Sequence, residues 1–91
     1  MKSQPRQIAL TFLEEIARQL TFEALKGFTI PDEIRDKVTR GVMFEGIYRL
    51  FELYIPGDRP SDAVLISRVR INALSGKAEG PVEVFNLQPK V

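Results

Sequence analysis

Apolar side chains recur at helical spacing from Pro5 to Lys26. Placed at about 100° per residue, Ile8, Ala9, Phe12, Leu13, Ile16, Ala17, Leu20 and Ala24 form one continuous arc, with Thr11, Glu14, Glu15 and Arg18 opposite. Such a stripe predicts a helix over 5–26 that buries one face against a core. Pro5 suits a first helical turn, where its missing N–H would be unpaired anyway. Gly27 suits the stop. Glu14 and Arg18 stand four apart, as a solvent-facing ion pair does.

The next stretch changes phase. Phe28-Thr29-Ile30 reads as a short extended piece, because Pro31 biases Ile30 away from the helical region. Asp32 and Glu33 then suit a helix N-terminus. Ile34, Val38 and Val42 are spaced by four, but the same face continues into Glu45, Arg49 and Glu52. One straight helix cannot bury both halves, so the pattern predicts helices over 32–40 and 42–55 with a break at Gly41. The longer helix carries two seams: Met43, Ile47, Leu50 and Tyr54, and beside it Phe44, Tyr48, Phe51 and Ile55. Their spacing of four, three, four resembles a heptad pattern and predicts burial from two sides.

Pro56-Gly57-Asp58-Arg59-Pro60 is a loop, after which the period shortens. Leu65, Val69, Ile71 and Ala73 alternate with Arg68, Arg70 and Asn72, as in a strand with one wet face. A helix capped by Ser61 and running to Leu74 is the alternative. A turn at 75–80 and a second strand after Pro81 complete a β-hairpin over 62–88, followed by a loose tail at 89–91. The predicted fold is a single α+β domain over 1–91: a long N-terminal helix, a broken second helix, and a C-terminal β-hairpin packed on the helices. The order of a short extended piece and two helices over Gly27–Ile55 resembles a ribbon-helix-helix repressor, and helix-helix-strand resembles the histone-like architectural proteins. The basic alternation of the first and the glycine-phenylalanine motif and basic arm of the second are missing, so no family is assigned.

Composition narrows the chemistry. The 91 residues carry 13 basic and 12 acidic side chains, a net charge of +1, and neither cysteine nor histidine. Disulfides and thiolate metal sites are excluded, as is the commonest general base. No metal, cofactor or enzymatic activity is expected. No apolar run approaches the roughly 20 residues of a membrane span. The first residues lack the apolar core of a signal peptide, so the expected location is the cytoplasm.

Three clusters remain. Asp32, Glu33 and Asp36 could bind magnesium or exchange protons, but Glu33–Lys37 and Asp36–Arg40 spacing reads as surface pairing. Arg59, Arg68, Arg70 and Lys77 gather on the predicted hairpin and are the candidate nucleic-acid contacts, although no aromatic residue interleaves for base stacking. Phe44, Tyr48, Phe51 and Ile55 are the candidate protein interface. The chain is therefore expected to be a non-catalytic interaction or regulatory protein, a homodimer that binds another protein. The alternative is a nucleic-acid-binding regulator that uses the basic hairpin face.

Overall fold

One α-helix lies across one face of an antiparallel sheet. The computed structural model describes residues 6–91. Helix α1 spans Leu10–Leu25, strand β1 Phe28–Thr29 and the single-turn α2 Asp32–Arg35. Strands β2 (Thr39–Glu45), β3 (Tyr48–Ile55) and β4 (Val64–Asn72) follow, with a 3-10 turn at Pro60–Asp62 before β4. The short β5 (Glu83–Val84) and β6 (Gln88–Pro89) end the chain. The main sheet has the order β2-β3-β4-β5, and β1 pairs separately with β6.

The broken second helix is overturned. Residues 39–55 form a hairpin, and Gly41 sits inside β2 instead of at a kink. Thr39, Val42, Tyr48, Phe51, Tyr54 and Ile55 are β-branched or aromatic, types that pack well on a pleated surface. Gly46, at φ 61°, opens the two-residue loop between the strands, the position where a type II′ turn takes glycine. The helical seams were an illusion of burial. Strand β3 is covered by α1 on one face and by long cross-strand side chains on the other, so its apolar residues do not alternate. A near-continuous apolar strand cannot be told from a buried helix by periodicity.

The expected C-terminal hairpin survives only in part. Strand β4 is long, and its outer face is open at Arg70 but closed at Ile66; its partner β5 contributes only two residues, supplemented by one bridge between Ile71 and Ala78. The alternative helix from Ser61 amounts to the 3-10 turn. Residues 89–91 are less loose than expected, since Pro89 pairs with Phe28 and the Lys90 N–H donates to the Gly27 carbonyl at 2.8 Å.

The core lies between α1 and β4. Leu13, Ala17, Val69, Ile71 and Ala73 are buried together, with Ile16, Phe51 and Val82 packed against them. Small residues at 17 and 73 let the helix approach the sheet closely. The buried line along α1 is Leu13, Ala17 and Thr21, so the helix is rotated from the predicted arc. Phe12, on that arc, is 69% exposed. The helix also begins at Leu10, not in the first turn predicted at Pro5, which lies outside the described residues. The Ile8 N–H instead donates to the Ala73 carbonyl at 2.7 Å. Arg18 pairs with Glu15, not Glu14.

The fold is thin for its mass. Its radius of gyration is 14.8 Å, against about 12 Å for a chain of this length at ordinary density. It exposes 6858 Å², where a folded monomer of this mass exposes about 5,400 Å². No helix among the described residues is long and apolar enough to cross a membrane.

Candidate functional site

Cross-strand partners share a face of a sheet, so the strand register sorts the candidate residues. Phe51 lies opposite Val42 and Val69, Arg49 lies opposite Phe44 and Ile71, and these side chains are on the α1 side. Leu50, opposite Met43 and Arg70, is on the outer side with Tyr48, Glu52 and Arg68. The predicted interface is thereby dispersed. Phe51 packs into the core, Tyr48 is on the opposite face, and Ile55 ends β3. Only Phe44 is strongly exposed, at 64%.

The basic candidates are also separated. Arg68 and Arg70 share the outer face, as predicted, but each holds a carboxylate. Arg68 Nε lies 2.8 Å from Glu52 Oε2, and an Arg70 guanidinium nitrogen 2.9 Å from Glu45 Oε1. Arg70 also stands over the Tyr48 ring, whose hydroxyl donates to Glu79. Arg59 pairs with Asp62 in the 3-10 turn, and Lys77 is exposed in the following turn. A phosphate on this face would have to displace Glu45 and Glu52. The acidic cluster is likewise local: Asp32 pairs with Arg35, and no group of three possible metal ligands occurs among the described residues.

Strand β2 is the feature that sequence reasoning missed. No described segment pairs with its outer edge. The direction of its main-chain groups follows from the ladder. The Ala73 N–H donates to the Ile47 carbonyl, so the odd-numbered residues at the start of β3 face β4 and the even-numbered ones face β2, in the alternation of an antiparallel pair. Tyr48, Leu50, Glu52 and Tyr54 therefore bond to their partners Glu45, Met43, Gly41 and Thr39. The amides and carbonyls of Arg40, Val42 and Phe44 point outward. The edge is seven residues long and has no proline or bulge along it; of the devices that keep an edge from pairing it carries only the charges of Arg40 and Glu45 near its two ends.

A groove runs beside that edge, between α1 and β2. Ala17 and Thr21 form its helix wall, Val42 and Phe51 its floor, and Arg40 its mouth, enclosing about 170 Å³. Glu14 and Arg18 border it from α1. The hydrogen-bonded Arg18 guanidinium holds the Glu15 carboxyl below the usual glutamate range, with Gln19 and the more distant Arg40 charge acting in the same direction. Among the described residues, the Arg40 side chain has no hydrogen-bond or ion-pair partner.

At the far end of β2, Phe44 rests on a fixed support. Arg49 is only 6% exposed, and its guanidinium carbon lies 4.3 Å from the Phe44 ring centroid. That guanidinium donates to the carbonyls of Gly46 and Tyr48 and to Gln7 Oε1, at 2.9 to 3.0 Å. A cation held in this way orients the aromatic ring above it. Phe44 is thus both positioned and open to solvent.

No protein family model matches the chain, and no curated protein or solved structure is significantly similar to it.

Proposed function

We propose that the chain is a non-catalytic protein-interaction module that receives an extended protein segment along the outer edge of β2. The observation that carries this reading is the row of outward amides and carbonyls at Arg40, Val42 and Phe44, set beside the groove under α1. Strand addition takes its affinity from such main-chain groups and its specificity from pockets for alternate side chains. Here every second residue of an added strand would point toward the groove, with Arg40 and Phe44 at its two ends. The devices present are those of recognition: an outward-facing ladder, an apolar trough and a supported aromatic ring.

A photo-crosslinking amino acid at Phe44 tests the reading. Crosslinked proteins should appear from Phe44 but not from the same group at Lys77, and Val42→Pro should abolish them. Proline at 42 removes an outward amide and leaves the β2–β3 ladder in place, the one orientation in which an edge strand tolerates it. Equal crosslinking from both positions, or none from Phe44, would refute the reading.

A further inference from the structure

We infer that the segment received by β2 is β2 of a second copy, so that two sheets join about a two-fold axis and each copy's Phe44 enters the other's groove. This rests on the reading of β2 as a receiving edge and names its occupant. The edge is complementary to itself. A two-fold axis at Val42 pairs Val42 with its twin and Arg40 with Phe44 of the second copy. These are the residues whose main-chain groups point outward, so all three pairs are hydrogen-bonded. This register also keeps both helices on one face of the joined sheet.

The side chains agree with the ladder. Phe44 of the second copy arrives opposite Arg40, at the mouth of the groove, where a guanidinium without a partner among the described residues meets an aromatic face. A cavity of about 150 Å³ holds a benzene ring, and the groove, open on one side, has space of about 170 Å³. On the outer face, Met43, 47% exposed, arrives opposite Gly41, beside the Tyr54 ring that lies over that glycine. The surplus of exposed surface is about twice what one standard interface covers per partner. The chain's 6858 Å² exceeds the monomer value by roughly 1,500 Å², and a standard interface covers about 800 Å² per partner. A closed two-fold arrangement removes both free edges at once.

Sedimentation equilibrium of the full chain at tens of micromolar tests the inference. A dimer is expected. Phe44→Ala should raise its dissociation constant about 100-fold or more, because both copies lose an anchor of the hot-spot class. Phe12→Ala, which removes an equally exposed aromatic away from the groove, should leave it unchanged. Val42→Pro should give a monomer, and Val42→Ala, which keeps the amide, should stay dimeric. If far-UV circular dichroism shows that Val42→Pro does not fold, the contrast between Phe44→Ala and Phe12→Ala decides. A monomeric wild type overturns the inference, as does a dimer insensitive to Phe44→Ala. The receiving edge is tested apart from its occupant by titrating an extended peptide of alternating apolar residues into the monomer. Amide shifts along β2 would then keep the edge and remove only the second copy, and their absence would remove both.

Discussion

Leu13→Ala tests the packing of α1 on β4. Leu13 is fully buried among Val69, Ile71 and Ala73 on the sheet and Ala17 one turn along the helix. Removing its side chain loses the transfer energy of the deleted carbons and leaves a cavity. The cavity cannot collapse easily, because residues 17 and 73 are already alanine and the sheet beneath is tied by its ladder. The cost should fall in the upper half of the usual range, about 3 to 5 kcal/mol. Against a total of about 5 to 15 kcal/mol for a domain, that is a large fraction. Urea unfolding followed by far-UV circular dichroism should show an unchanged slope and a midpoint lower by roughly 2 to 5 M, since a chain this small has a slope near the low end of the usual range. The comparison belongs in a Phe44→Ala background, so that self-association does not enter the measured stability. Phe12→Ala, one residue away but exposed, should change stability by no more than about 0.5 kcal/mol. A loss below about 1 kcal/mol for Leu13→Ala would refute the helix rotation described above, as would a Phe12→Ala cost of equal size.

Three further outcomes follow from local geometry. Gly46→Ala should destabilise by about 1 to 2 kcal/mol in thermal or urea unfolding, because a side chain is forced into left-handed backbone at φ 61°. A double-mutant cycle on Glu52→Gln and Arg68→Met should give a coupling of about 1 kcal/mol or less, since Arg68 is over one-third exposed and solvent screens the pair. Zero coupling would show that the outer-face pairing is incidental. By NMR titration Glu15 should ionise below the usual glutamate range, and Arg18→Gln should raise it again. Because the folded carboxyl is the more acidic, its small contribution is present above the unfolded value and fades as pH falls through the folded one.

What could be read from the sequence depended on whether an element has one buried face or two. Helix α1 has one, so its stripe showed, while its start at Leu10 and its rotation were missed: the pattern weighed Phe12 and Leu20 as heavily as Leu13. Strand β4 is open to solvent on its outer face around Arg70, and its alternation with Arg68 and Arg70 was legible. Strand β3 is shielded on both faces, Leu50 by its long neighbours and Phe51 by α1, and there periodicity misled. The available signal was Gly46 between two β-branched and aromatic runs. Reading it as the first position of a tight turn, instead of as a helical glycine, would have given the hairpin. The partners of Arg68 and Arg70, Glu52 and Glu45, became visible only with the register of β2 and β3. Phe44 was chosen for a helical seam that does not exist, yet it is the member of that set that projects from the open edge.

Amide hydrogen exchange along β2, measured at several protein concentrations, tests the central claim most directly. The amides of Gly41, Met43 and Glu45 bond to β3 and should be protected at every concentration. Those of Arg40, Val42 and Phe44 have no partner among the described residues of one chain, and opening a hydrogen-bonded site is what exchange reports. The account predicts that these three gain protection together as concentration rises through the dimer's dissociation constant, and lose it in Phe44→Ala. Exchange at Arg40, Val42 and Phe44 that stays fast at all concentrations, or protection that is already full in dilute monomer, would contradict it.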